Sequence, residues 1–247
     1  MALTLASLQG GRASMEDRVF SVTRGDLSLL CVFDGHGGEA AADACVQVVQ
    51  TCDLAQAQAN GRRFLHDLVS AMRNETRDME CGTTASLVLV SSRRRYAAGA
   101  FLGDSPIFVK APGGSIRMQI LHSVSGNDAE RTAAEARGGE CWPSRNGTFL
   151  SPRGGRTGRA VTRALGDADM GRVLSREPEF ISFPLSHRKG FVLAASDGFI
   201  PDYDAGFFDI NDVAAKIGEG CDAWALMNWR RTFPMSDNAS IALWTPS

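Results

Sequence analysis

The chain lacks any apolar run that approaches the roughly 18 residues needed to cross a bilayer, which sets membrane-spanning functions aside. It also lacks a charge excess. Its 26 basic and 28 acidic residues give a net charge of −2, which leaves no global footprint for nucleic acid or for an acidic membrane surface. Met1 to Gly10 has neither a basic n-region nor a long apolar h-region, so no secretory leader is expected. The six cysteines (Cys31, Cys45, Cys52, Cys81, Cys141 and Cys221) form no Cys-x-x-Cys pair and suggest no disulfide framework. A reducing setting inside the cell, cytoplasmic or nuclear, is the expectation. There is no internal repeat, low-complexity tract or linker. Neither a Gly-x4-Gly-Lys-[Ser/Thr] loop nor a His-Glu-x-x-His helix is present, which disfavours P-loop nucleotide hydrolysis and zincin chemistry. What remains is 247 residues of ordinary composition, 44% hydrophobic and 22% charged, enough for one domain with a full core spanning residues 1–247.

Strand-like segments cover Val19–Val22, Leu27–Phe33, Thr84–Val90, Tyr96–Phe101, Ile107–Lys110, Ile116–Leu121, Glu179–Phe183, Phe191–Ala195 and Ala239–Trp244. Short turns such as Ser91–Arg95 and Pro112–Gly114 imply antiparallel pairing, because βαβ crossovers would need longer connections. Helical periodicity appears at Glu39–Gln50, Gly61–Glu80, Asp128–Arg137 and Ile210–Arg231, the last broken near Gly218–Gly220. The expected class is α+β, with helices covering two antiparallel sheets from outside. Gly138–Gly158, rich in Gly, Pro, Ser and Arg, reads as an irregular insertion or flap.

Four aspartates stand where strand-like runs break into turns: Asp34 in FDGHGG, Asp104 in GDS, Asp197 in SDG and Asp237 in SDN. An acidic pair, Glu16-Asp17, precedes the first strand-like segment, Val19–Val22. Taken singly, Asp-Gly is a turn signal more often than a ligand. Several carboxylates delivered to one sheet edge would instead build an all-oxygen site, suited to hard divalent cations such as Mg²⁺ or Mn²⁺.

These residues form an ordered series of motifs: Arg12-x-x-x-Glu16-Asp17, FDGHGG, CGTTA (Cys81–Ala85), GDS (Gly103–Ser105), TRALGD (Thr162–Asp167), SDG (Ser196–Gly198) and Asp237-Asn238. In this order the chain resembles metal-dependent serine/threonine protein phosphatases of the 2C type, from about Gln9 to Trp244. The resemblance implies an α-β-β-α sandwich with a binuclear metal centre at one end. It further implies that Asp34 bridges two Mg²⁺ or Mn²⁺ ions, with Gly35 giving a backbone carbonyl to one of them. Asp197 and Asp237 would ligate the other, and Glu16 would bind directly or through a metal-bound water. Arg12 would grip the substrate phosphate with its planar fork. His36 would protonate the leaving serine or threonine oxygen. Asp17 would orient water or the Arg12 guanidinium.

Relatives often hold a weaker third metal with the GDS aspartate and an acid four residues after the SDG aspartate. Here Pro201 has that spacing and Asp202 follows it, so Asp104 and Asp202 are the candidates for a third site. CGTTA and TRALGD read as small residues that let the sheets pack closely, and His66, His122 and His187 as structural. Arg153, Arg156 and Arg159 on the flap would favour acidic residues near a phosphosite. The expected partners are phosphoproteins, the expected state a monomer, and the expected activity hydrolysis of phosphoserine and phosphothreonine. The alternative is a catalytically silent docking module, which loss of a core carboxylate or of His36 would favour; all are present. The absence of Cys-x5-Arg argues against a cysteine-based tyrosine phosphatase.

Overall fold

A computed structural model describes residues 2–119, 121–145, 147–185, 190–200 and 209–246. Strands β1 (Ala2–Leu8), β8 (Ile107–Lys110), β9 (Ile116–Met118), β14 (Val192–Ala195) and β15 (Ala239–Thr245) form one sheet in the order β1-β15-β14-β8-β9. Strands β2 (Arg18–Arg24), β3 (Leu27–Phe33), β6 (Ala85–Ser91), β7 (Tyr96–Leu102) and β13 (Glu179–Pro184) form a second, in the order β13-β7-β6-β3-β2. All pairings in both sheets are antiparallel.

The period-2 geometry of strands explains why the central strands are largely apolar on both faces. In β3, Leu27, Leu29, Cys31 and Phe33 face helices α1 (Ala40–Gln50) and α2 (Gly61–Thr76), where they meet Cys45, Leu65, Leu68 and Met72. The alternate residues Leu30 and Val32 face the other sheet and meet Val192, Ala194, Ala242 and Trp244. On the far side, Leu193, Ile241 and Leu243 face α4 (Ile210–Gly218) and α5 (Ala223–Arg230), packing on Val213, Leu226 and Met227. Three stacked apolar layers thus define an α-β-β-α sandwich, as the resemblance implied. Cys31 and Cys45 are buried inside it, where desolvation pushes both thiols well above their ordinary range.

Two peripheral units complete the described residues. A three-stranded ribbon joins β4 (Gly35–His36), β5 (Gly82–Thr83) and β12 (Leu165–Gly166) in the order β12-β5-β4. A hairpin of β10 (Gly139–Ser144) and β11 (Gly147–Pro152) packs with α3 (Asp128–Ala136) over a satellite core of Val124, Leu150, Val161, Met170 and Leu174.

The helix and strand expectations hold with three departures. The segment expected to be an irregular flap is a regular hairpin, because Leu150 is fully buried and anchors it to the satellite core. The strand expected to reach Leu121 stops at Met118, since the Gln119 side chain turns inward to accept from Ile107 N at 2.5 Å and to donate to Ser105 O at 2.9 Å. Helix α2 stops at Thr76 rather than Glu80; beyond it Met79 O accepts from Ala168 N, which draws the chain toward the ribbon. Strand β1 escaped the sequence reading because its alternation is weak; pairing with β15 makes it a strand.

Leu30 is fully buried between the sheets. Leu30→Ala is expected to cost about 2–5 kcal/mol of unfolding free energy in denaturant titrations. A loss below about 1 kcal/mol would contradict face-to-face packing of the sheets at this position.

Candidate active site

The topology carries the acidic residues to one edge of the sandwich. Asp34 follows the C-terminal end of β3, and Glu16-Asp17 precede β2, which pairs there through Arg18 opposite Phe33. Asp197 follows β14 by one residue, and Asp237-Asn238 precede β15, its antiparallel neighbour. Asp104 follows β7.

Burial, and then the charges of Asp197, Asp17, Asp104 and Asp237, push the Asp34 carboxyl well above the usual carboxylate range. Asp17 is only 2% exposed. Burial first, with Asp197 and Asp237 adding to it, raises this carboxyl from 3.8 to about 6, against the opposing pull of hydrogen bonds from Ser196 and Ser240. Ser196 Oγ donates to Asp17 Oδ2 at 2.8 Å, whereas Asp17 Oδ1 is buried without a hydrogen-bond partner. Five carboxylates crowded at one edge, one with an orphaned buried oxygen, make a donor set that a divalent cation fits.

The loop before β2 is held in place by the terminal motif. Asn238 Oδ1 accepts from Glu16 N at 2.8 Å, and Asn238 Nδ2 donates to Gln9 O at 2.7 Å and Ser14 O at 2.9 Å. One side chain thereby fixes the segment that carries Arg12, Glu16 and Asp17. Arg12 is exposed, and its Nη2 donates to Asp237 Oδ2 at 2.6 Å, so the guanidinium stands at the rim of the acidic cluster. Arg18, unremarked in the sequence, ties the same loop to α1 by donating to Met15 O, Asp17 O and the Asp43 carboxylate. Asn238 stands in the sequence as the second residue of the Asp237-Asn238 motif, whereas Arg18 carried no such signal.

CGTTA and TRALGD do more than allow close packing. Thr84 N donates to Asp34 O, Asp34 N donates to Thr84 Oγ1, and Thr83 Oγ1 donates to Asp34 O, which locks the Asp34 backbone from both sides. Thr84 Oγ1 and Ser105 Oγ lie 2.6 Å apart, joining the CGTTA and GDS turns. His36 lies on the ribbon, its Nε2 2.8 and 3.0 Å from the two carboxylate oxygens of Asp167, the last residue of TRALGD. A Cβ at Gly82 would overlap both the Asp167 carboxylate and His36 Nε2, so only glycine leaves room for the pair. Arg159, expected on a solvent-facing flap, is turned inward: its Nε donates to Asp167 Oδ1 at 2.5 Å and its Nη2 to Asp169 Oδ1 at 3.0 Å. Arg153 and Arg156 do remain exposed.

Asp202, half of the candidate third site, lies outside the described residues; Asp104 contributes its charge to the Asp34 cluster. Among the described residues the tightest group of potential ligand atoms is elsewhere, at His122, Glu130 and Glu179. A guanidinium already stands there. Arg163 Nη2 donates to Glu130 Oε1 at 2.5 Å and to Glu179 Oε1 at 2.7 Å, and Arg163 Nε to Glu130 Oε2 at 2.9 Å. Burial and the Arg163 charge lower His122 to about 4. His122 serves the fold: it stacks on Phe101, and its Nδ1 accepts from Gly103 N. A cation arriving there would meet the Arg163 charge, whereas the charges that act on Asp34 are those of four other carboxylates.

Residues 1–201 match the family model "Protein phosphatase 2C", and the chain belongs to that family, carrying its protein serine/threonine phosphatase domain. It is 29% identical to "Probable protein phosphatase 2C 45" of Oryza sativa subsp. japonica over 211 residues, 78% of this chain and 69% of that protein. It is also 29% identical to "Protein phosphatase fem-2" of Caenorhabditis elegans, over 77% of this chain and 45% of that protein. The chain thus spans about two thirds of the first relative and under half of the second. Among solved structures, a serine-threonine phosphatase 2C from Toxoplasma gondii superposes with a TM-score of 0.75, at 18% identity, over 98% of this chain and 93% of the other, a likeness of fold. The family is metal-dependent, and no helix among the described residues is long and apolar enough to cross a membrane.

Carboxylate crowding fixes the sign of a pH effect on the protein stripped of metal with EDTA. A carboxyl whose folded pKa is raised holds its proton more tightly when folded, so its penalty is absent below the unfolded value and complete above the folded one. For Asp17 that window runs from about 4 to about 6, and Asp34 acts in the same direction. Glu130, lowered mainly by its Arg163 hydrogen bond, acts oppositely at lower pH, and His122, lowered to about 4 by burial and Arg163, also acts oppositely as pH rises toward its unfolded value. Thermal melting in EDTA should therefore show the parent losing a few kcal/mol relative to Asp17→Asn between pH 4 and pH 6, since His122 acts equally in both. Millimolar Mn²⁺ should restore it at pH 7. A flat difference between parent and Asp17→Asn in EDTA, or no Mn²⁺ rescue of the parent, would contradict the crowding.

Proposed function

We propose that this chain hydrolyses phosphoserine and phosphothreonine on proteins with a water activated at a binuclear Mg²⁺ or Mn²⁺ centre. The observation that carries the reading is the convergence on Asp34 of the charges of Asp197, Asp17, Asp104 and Asp237. Asp34 would bridge the ions and the Gly35 carbonyl would complete one of them, while Asp197 and Asp237 would hold the other and Glu16 would bind at the rim. Such ions supply charge stabilisation and a nucleophilic water at neutral pH.

The remaining steps belong to the chain's own residues. Arg12, on its exposed loop, would exchange Asp237 for the substrate phosphate, whose oxygens suit a planar guanidinium. Asp17, with a free buried oxygen, would accept a hydrogen bond from water at the site and orient it. His36 would give a proton to the departing serine or threonine oxygen, which as an alkoxide is a poor leaving group. Phosphoprotein substrates, a monomeric state and an intracellular location belong to the same proposal.

Activity on p-nitrophenyl phosphate should vanish in EDTA and return with Mn²⁺. Asp34→Asn, which removes the bridging charge, should lower kcat by at least about 100-fold at saturating Mn²⁺. The same change relieves like-charge repulsion, so the variant should melt no lower than the parent in EDTA at pH 7. Near-parental kcat in Asp34→Asn would remove the bridging assignment, and full turnover after exhaustive chelation would remove the metal mechanism altogether.

A further inference from the structure

His36 is set by residues outside the acidic cluster, and its contacts determine which ring nitrogen can act. We propose that Asp167, fixed in turn by Arg159, is the positioning residue for His36, taking Nε2 so that the proton for the leaving oxygen is delivered from Nδ1. This inference rests on the reading of His36 as the proton donor.

A carboxylate only accepts hydrogen bonds, and both Asp167 oxygens lie within 3.0 Å of His36 Nε2, so this nitrogen carries a hydrogen and is already engaged. His36 Nδ1 has no hydrogen-bond partner among the described residues. The imidazole is 28% exposed, whereas the Asp167 side chain is completely buried. Substrate can therefore reach the ring but not the carboxylate behind it.

Asp167 is itself held from every side. Arg159 Nε donates to Oδ1, Arg176 Nη2 donates to the Asp167 carbonyl at 2.6 Å, and Asp167 N donates to Cys81 O at 3.1 Å. Its backbone is left-handed, φ 53° and ψ 53°, a conformation few non-glycine residues adopt and one that surrounding contacts must impose. Arg159 extends the chain of contacts to the β10–β11 hairpin, since Arg159 N donates to Leu150 O and Leu150 N donates to Arg159 O. A ring held through Nε2 keeps a single orientation. When the phosphoester P–O bond breaks, the oxygen leaves with the electron pair and takes the Nδ1 proton. The imidazole is left neutral with its Nε2 hydrogen still on Asp167, and solvent restores the Nδ1 proton.

The test compares kcat and KM on a phosphoserine peptide and on p-nitrophenyl phosphate, whose leaving group is stable as an anion, in the Mn²⁺-supplemented enzyme. His36→Gln should lower kcat on the peptide by roughly 100-fold or more and on the aryl ester far less. Asp167→Asn, isosteric and tolerant of the left-handed backbone, should reproduce that pattern at about 10- to 100-fold with KM little changed. The double variant should be no slower on the peptide than His36→Gln alone, because Asp167 acts only through His36. Should Asp167→Asn fail to fold, Arg159→Lys carries the test, with a smaller loss of the same selectivity. Parental peptide turnover in Asp167→Asn, equal losses on both substrates, or multiplying losses in the double variant would overturn the inference and leave His36 as the acid. If His36→Gln itself loses both substrates equally, the proton-donor reading fails and the inference falls with it.

Discussion

Four carboxylates stand close enough to Asp34 for their charges, added to its burial, to hold its carboxyl far above the ordinary range. That repulsion is unfavourable for the fold alone, and antiparallel topology creates it: the ends of β3, β7 and β14 and the starts of β2 and β15 all meet at one edge. Three apolar layers above and below the two sheets supply the rigidity that keeps like charges together. A cation placed among them would convert the repulsion into attraction, and would thereby couple metal binding, stability and pH.

Around the acidic cluster the chain spends its hydrogen bonds on orientation. Asn238 staples the loop that carries Arg12 and Glu16, Thr83 and Thr84 lock the backbone of Asp34, and Asp167 and Arg159 fix His36. The contrast with His122, Glu130 and Glu179 is instructive. There the acids are as close as metal ligands would be, yet Arg163 neutralises them and the histidine faces a cationic neighbour. Proximity of ligand atoms alone therefore does not distinguish a cation site from an ion-pair network; the sign of the charges around them does.

Much of this was legible along the chain because local rules and tertiary packing agree. Strand β3 reads as largely apolar because both of its faces are covered, and its limits follow from the turns at Gly25-Asp26 and Asp34-Gly35. The break between α4 and α5 follows from Gly218 and Gly220. The remainder was hidden for physical reasons. The hairpin at Gly139–Pro152 is rich in Gly and Pro, and only the satellite core under Leu150 orders it. The His36–Asp167 contact spans 131 positions, and Arg159 looks like any exposed arginine until the fold brings it against a buried carboxylate. Asp167 itself sits in a motif whose small residues pointed to packing rather than to a partner for histidine.

The central claim is that the charge at Asp34 is there to be shared by two cations, and anomalous scattering from crystals grown with Mn²⁺ tests it most directly. The account predicts two manganese peaks about 3.5–4 Å apart on either side of the Asp34 carboxylate, with Asp197 and Asp237 on one of them. No manganese at Asp34, or a peak only at His122, Glu130 and Glu179, would contradict it.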